Sequence, residues 1–437
     1  MVGSGGRTPR DVYIRSGRIA AVRPHGEDVG AAVTIDASGL YVLPGMVDTH
    51  VHLMDPGDPS REDFPTGTSA AVANGVTTIV EHTHGWPVTS VERLAEKRAH
   101  LRGRSHTDYG LAAHLWDDNL DELPGLWRAG ITFIKIFTCE THGVPATPSD
   151  RMLAAFEILA ALDAVCLVHC EDNWMTARNE RLLRDSGRTD GRVIPEWRTR
   201  EAELTAVGAM ALIARLTGAR ATIAHASSDQ VLTLLDDERR RGARVVAETC
   251  PQYLLLREDE VIDQGAFRKF TPPARIRGSK DEEAMWAGLR DGRVHHLSTD
   301  HAPSTRAQKS LGVWASPFGL PGLDSTLPLM LDAALAGRIT LERLVEIYAE
   351  APARWYGLDR KGKVSPGYDA DLVIVDPSRV RTLTDDSVIS KAGWTPFAGR
   401  QVRGGVKTVL LRGTVVAEDG RPEGSPSGRF LAGPGAR

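Results

Sequence analysis

Six side chains of metal-binding or acid–base type recur along this chain, each following a short apolar run. They are His50 and His52 in Val47-Asp48-Thr49-His50-Val51-His52, Lys135 in Phe133-Ile134-Lys135-Ile136-Phe137, then His169, His225, and Asp300 beside His301. An apolar run ending in such a residue is what a barrel strand looks like when it delivers a ligand to its C-terminal mouth. His50 and His52 stand two apart, so on a strand both point to one face. Imidazole nitrogens with a carboxylate suit a borderline divalent ion such as zinc. Lys135 discriminates most, because an unpaired ammonium in that apolar run is costly to bury. A lysine escapes the cost by losing its charge or by modification. As a CO2-derived carbamate it becomes a carboxylate-like bridge between two cations.

The spacing therefore predicts two metals. His50, His52 and Asp300 hold one, His169 and His225 the other, and carbamylated Lys135 bridges them. Two such ions share a water and lower its pKa towards about 7. Asp300 takes the proton of that water and passes it to a leaving nitrogen. The chemistry is amide hydrolysis without a covalent intermediate. A Ser-His-Asp or Cys-His mechanism is the weaker reading, since no Gly-x-Ser-x-Gly elbow is present.

The elements that must position these residues follow from periodicity. Eight strands, at 44–50, 76–81, 109–114, 131–137, 164–169, 220–225, 243–249 and 294–300, alternate with helical stretches. That is the βα pattern of a parallel (β/α)8 barrel, an α/β fold of TIM type. Capping boxes are expected at Thr89-x-x-Glu92, Ser227-x-x-Gln230 and Ser279-x-x-Glu282. A late helix runs from Thr340 to Tyr356 and stops before Gly357.

The chain ends read differently. Residues 11–22 form a strand, a Ser16-Gly17 turn and a strand, with further strands at Val33-Thr34-Ile35-Asp36 and Tyr41-Val42-Leu43. Residues 371–375 form a strand, and residues 406–417 a hairpin around Arg412-Gly413. Neither end suffices alone, so one small β-sandwich domain from both ends is expected. The division is 1–43 and 363–437 for the sandwich and tail, and 44–362 for the barrel. The tail 420–428 and Gly433-Pro434-Gly435 are expected to be extended or disordered.

Composition excludes other classes. With 437 residues, 41% hydrophobic and 25% charged, the chain is an ordinary globular protein. A net charge of −4 gives no case for nucleic acid or an anionic membrane. No apolar run is long enough to span a membrane, and the N-terminus lacks a signal-peptide core. Cys139, Cys166, Cys170 and Cys250 have no zinc-ribbon spacing and read as reduced thiols of a cytoplasmic protein.

The run Pro44-Gly45-Met46-Val47-Asp48-Thr49-His50-Val51-His52-Leu53-Met54-Asp55-Pro56-Gly57 resembles the opening signature of the cyclic amidohydrolases, the group of allantoinase, hydantoinase, dihydropyrimidinase and dihydroorotase. The likeness continues nearly throughout the chain. It includes Gly75-Val76-Thr77-Thr78, His169-Cys170-Glu171, Glu248-Thr249-Cys250-Pro251-Gln252-Tyr253, Thr271-Pro272-Pro273-Ala274-Arg275, Thr299-Asp300-His301-Ala302-Pro303 and Gly367-Tyr368-Asp369-Ala370-Asp371-Leu372. The resemblance implies a barrel with a β-sandwich, a binuclear zinc-type site, a small cyclic amide as substrate, and a homotetramer or homodimer. It also implies the same six ligands.

Dihydroorotases carry an Arg two residues after the second His, where this chain has Met54. Dihydropyrimidinases and D-hydantoinases carry a Tyr five residues beyond the Lys, where this chain has Glu140. Asp55-Pro56-Gly57 and Thr395-Pro396-Phe397-x-Gly399 look allantoinase-like. The expected substrate is thus a cyclic ureide, hydantoin or imide, with dihydropyrimidinase or dihydroorotase activity as the alternative. Met54, Glu140, His82, Pro273 and Pro321 are the expected substrate-side residues, and His84 and Trp86 join His82 in an unusual loop. A different class also resembles the chain: non-catalytic scaffold relatives of dihydropyrimidinase, which lack the metal ligands that this chain retains.

Overall fold

The computed structural model describes residues 1–27, 30–116 and 118–436. Eight parallel strands surround one axis: β1 Met46–Val51, β2 Val76–Glu81, β3 Asp108–Leu111, β4 Ile134–Phe137, β5 Val165–His169, β6 Arg220–Ile223, β7 Val245–Thr249 and β8 Val294–Leu297. β1 pairs with β2 and β2 with β3. After a break at Ala112, Ala113–His114 pairs with β4, and pairing then runs in order to β8. The ring closes where Val51 bridges His301 and the His52 N–H donates to the His301 carbonyl at 2.8 Å. Asp48 braces the same seam by accepting the backbone N–H groups of His50 and Thr299 and the Tyr348 hydroxyl. This is the expected (β/α)8 barrel.

Several strands are shorter than their apolar runs. Ile131–Phe133 lie before β4, and His225 and Asp300 lie beyond the ends of β6 and β8. At the mouth the chain must turn away, so backbone pairing stops before the last side chain aimed inward. Side-chain alternation still holds: Phe133, Lys135 and Phe137 share a face, as do Val165, Leu167 and His169. Of these, Phe133, Val165 and Leu167 pack with Val80, Ala112 and Tyr356 as a layer of the core.

Both chain ends build the second layer. A five-stranded antiparallel sheet orders Arg421–Pro422, Thr414–Glu418, Gln401–Leu411, Leu372–Thr382 and Tyr41–Pro44. Residues alternate along Leu372–Thr382. Leu372 and Ile374 pack with Ile19 and Val22 of the Arg10–Arg15/Arg18–Pro24 hairpin, whereas Val373 and Val375 join the main core. Arg412-Gly413 and Ser16-Gly17 both take the left-handed conformation that a tight hairpin needs.

Four local expectations are corrected. Val33–Asp36 forms no strand. The helix Val91–Leu101 is capped by Ser90, which accepts from the Arg93 N–H, rather than by Thr89. The helix Asp229–Arg240 has Ser228 at its N-cap, because the Ser227 hydroxyl is engaged with Glu203. Ser279 is the first helical residue of Ser279–Asp291, following Gly278. The late helix begins after Thr340, which caps it, and stops at Tyr356, with a wider π turn at Glu346–Glu350. The tail is extended and packed. Phe430 bridges Tyr109, and a Cβ at Gly428 or Gly433 would collide with the carbonyls of Thr107 or Ile131. Glycine lets the tail lie directly on the residues that precede β3 and β4. No helix among the described residues is long and apolar enough to cross a membrane.

Candidate metal centre

The barrel brings His50, His52, Lys135, His169, His225 and Asp300 together, all buried. The hydrogen bonds around their rings carry the chemistry. His50 Nδ1 donates to Glu248 Oε1 at 2.6 Å. His52 Nδ1 donates to the His82 carbonyl at 2.7 Å. His169 Nε2 donates to Glu171 Oε2 at 2.8 Å. Each ring is thus held by the nitrogen that faces away from the centre, a pattern typical of metal-binding imidazoles. Burial holds His52 down to about 4, and it also depresses His169 and, strongly, His225. A neutral ring that donates at one nitrogen offers a lone pair at the other.

Those lone pairs converge. His50 Nε2 lies 3.2 Å from Asp300 Oδ1, and His52 Nε2 lies 3.5 Å from the same oxygen. His169 Nδ1 faces His225 Nε2 at 2.9 Å. Donor atoms of His50, His225 and Asp300 fall within 4.8 Å of one another. Imidazole lone pairs set towards a carboxylate in a buried site are well answered by a shared cation. His225 and Asp300 also carry positive φ angles of 41° and 48°. Such strain in non-glycine residues gathers at functional sites. The donor set therefore fits divalent cations of the zinc type.

Lys135 reaches the same point. Its Nζ lies 3.3 Å from His50 Nε2, and no carboxylate oxygen lies within salt-bridge distance of it among the described residues. Burial lowers its pKa to about 8, against the pull of Asp300 and Glu248. A sizeable neutral fraction near pH 7–8 is what reaction with CO2 needs.

Two carboxylates that sequence reasoning passed over support the rings. Glu248 also accepts from the His225 N–H at 3.3 Å, and burial is outweighed by His50 and His296, so its carboxyl titrates well below the usual range. Burial would raise the Glu171 carboxyl, but the Arg198 charge and bonds from His169 and Thr271 bring it to about 2. Both stood inside quoted motifs, yet nothing in their spacing tells a supporting carboxylate from a capping one. His301 turns elsewhere: its Nδ1 accepts from the Gly322 and Leu323 N–H groups, and its Nε2 faces Glu62 at 3.4 Å.

The expected substrate-side residues separate. Met54 is buried next to the His pair with φ of 55°, and its sulfur accepts from Thr83 Oγ1. His82 is buried, with its ring against His50 and His52. Pro273 and Pro321 are buried, Pro321 just before the Gly322 that bonds His301. Glu140 is exposed, and its N–H bonds the Asn173 side chain. His84 stacks on His142 at 4.4 Å and lies 4.1 Å from His52, whereas Trp86 lies under the Arg93 guanidinium. Arg275 is buried but tied to Glu203 and the Arg198 carbonyl. All four cysteines are free and buried.

Residues 41–416 match the model of the amidohydrolase family. The chain is 35% identical to a dihydroorotase of Halobacterium salinarum, over 94% of this chain and 96% of that one. It is 34% identical to an allantoinase of Solibacter usitatus, over 95% and 92%. In structure it is similar to the L-hydantoinase (dihydropyrimidinase) of Arthrobacter aurescens, with a TM-score of 0.94 and 29% identity over 99% and 97% of the two chains. The chain belongs to the amidohydrolase family. Within it, the protein is an enzyme of the cyclic amide hydrolases, a group whose members use a divalent metal centre.

Proposed function

We propose that the protein opens the ring of a neutral cyclic ureide, hydantoin or imide, as an allantoinase or hydantoinase does. His50, His52 and Asp300 would hold one zinc-type ion and His169 and His225 a second, with Lys135, as a carbamate, supplying a shared carboxylate-like ligand. When bound, such a centre supplies a water of lowered pKa and polarises the scissile carbonyl. Asp300 takes the proton of the attacking water and returns it to the ring nitrogen as the C–N bond breaks. The observation that carries this reading is the convergence of the His50 and His52 lone pairs on Asp300 and of the His169 lone pair on His225, with the outer nitrogens of His50, His52 and His169 anchored.

Met54 supports a neutral substrate, since a thioether cannot pair with a carboxylate. One observation favours a second reading, dihydroorotate. Arg61 donates from Nε to the Pro303 carbonyl, three residues past Asp300, while its Nη2 is buried without a hydrogen-bond partner among the described residues. We place the enzyme in the cytoplasm, supported by its four buried free thiols. We further infer a homodimer or homotetramer, supported by Trp174, Met175 and Leu182 standing exposed on the helix Asn173–Asp185.

The test is a metal assay with a hydrolysis screen over allantoin, hydantoins, dihydrouracil, dihydroorotate and cyclic imides. Two metals per chain and ring opening of a neutral substrate are expected, with activity lost on chelation. Absence of stoichiometric metal would instead indicate a non-catalytic scaffold. Preference for dihydroorotate, abolished in Arg61→Met, would establish the second reading.

A further inference from the structure

We propose that His82 is a further metal ligand, a third imidazole on the cation held by His50 and His52. The proposal rests on the metal-centre reading above. His82 directly follows β2, and its ring is fully buried. Neither ring nitrogen has a hydrogen-bond partner among the described residues. A buried imidazole with both nitrogens unanswered is costly and demands an explanation. Its neighbours supply one. The His82 ring centroid lies 4.8 Å from that of His50 and 4.3 Å from that of His52. One nitrogen from each of the three rings falls within 4.8 Å of the other two. Phe133 meets the His82 ring edge-on at 5.5 Å and fixes its plane.

The rings of His84 and His114 are also buried and unpartnered. Neither belongs to a group of three such donors among the described residues, so the same argument does not extend to them. Residue 82 would act twice on one ion. Its carbonyl already orients the His52 ring, and its own ring would add a third imidazole beside His50 and His52. A site rich in neutral nitrogen donors suits zinc or cobalt(II) over magnesium, calcium or manganese.

The direct test is a crystal structure of the zinc-loaded protein. A His82 nitrogen at a bonding distance of about 2.0–2.1 Å from the metal is expected. A separation beyond about 3 Å, the ring facing substrate or water instead, overturns the proposal. Chelator competition gives a second readout. His82→Phe keeps a ring against Phe133 and is expected to release one metal at about tenfold lower chelator concentration, the scale of losing one supporting contact. His84→Phe should release its metals as the wild type does. If His82→Phe and wild type release metal alike, His82 is not a ligand. If His50→Ala also retains both metals, the metal-centre reading itself fails, which separates the two outcomes.

Discussion

Two clusters of buried charge sit at opposite ends of the barrel and use the same residue types to different ends. At the lower end, Asp108, Asp369 and Asp371 place carboxylate oxygens within 4.8 Å of one another, as a metal site would. Lys361 Nζ stands among them, donating at 2.6 Å to Asp108 and 2.8 Å to Asp371, with Asp369 at 2.9 Å. The Arg412 side chain and the Arg429 N–H both donate to Asp108 Oδ1, the Arg412 N–H donates to Asp371 Oδ1, and the Arg360 guanidinium donates to Asp369 Oδ1. At the mouth, imidazole lone pairs face a carboxylate, the backbone is strained at two donors, and His82 and His225 keep unpartnered nitrogens. A buried polar cluster whose members answer one another joins two domains. One whose members do not is waiting for something else.

The sharpest way to break the contrast is at Asp300. Asp300→Asn keeps the shape and one ligand oxygen but is a far poorer base. It should retain most of its metal and lose about 10²–10⁴ in kcat, the usual worth of general acid–base work. Near-normal turnover would remove Asp300 from the mechanism, and His301, bound to backbone N–H groups, would be a poor successor.

The lower cluster should respond in the opposite sense. Lys361→Met leaves three carboxylates without their central cation and should cost about 3–5 kcal/mol in urea unfolding. Metal content of the folded fraction should be unchanged. Loss of metal at constant stability would mean that the two clusters are not distinct in kind.

Glu171 tests the sign of the electrostatics. Its carboxyl is held at about 2, below the usual 4.5 of a glutamate. The stabilisation is therefore complete above about pH 4.5 and is lost as pH falls towards 2. It amounts to something on the order of 3 kcal/mol. In metal-free protein, Glu171→Gln should flatten the stability–pH curve over that window, and an unchanged slope would assign the acid sensitivity elsewhere.

The smallest effect belongs to Glu248. Glu248→Gln keeps a hydrogen bond to His50 but removes the charge, and it should weaken metal binding about 10–100-fold while leaving the fold intact. Unaltered affinity in a chelator titration would make Glu248 a core residue only.

Much of this was legible before any coordinates. Apolar runs leading to His, Lys or Asp marked the five strands that carry the expected ligands, and alternation with helical stretches marked the rest. The Ser-Gly and Arg-Gly turns marked the two terminal hairpins. Cap positions slipped by one residue at Thr89 and Ser279, since neighbouring Ser, Thr and Gly residues compete for a helix start on nearly equal terms. Ser227 misled for a different reason: Glu203, twenty-four positions earlier, claims its hydroxyl.

By itself the sequence determined the strand order, the two-ended sandwich and the six inward side chains, because alternation and punctuation are local properties. Only the tertiary structure decided which nitrogen of each imidazole is already taken. Glu248 is 198 positions from His50, and Arg198 and Thr271 meet Glu171 from separate loops. It also revealed Lys361 as a second buried lysine in addition to Lys135, although its run Asp359-Arg360-Lys361-Gly362-Lys363 carries no apolar signal. One stands among lone pairs and the other among three carboxylates, and that environment is fixed only when distant strands close the barrel and both chain ends fold against it.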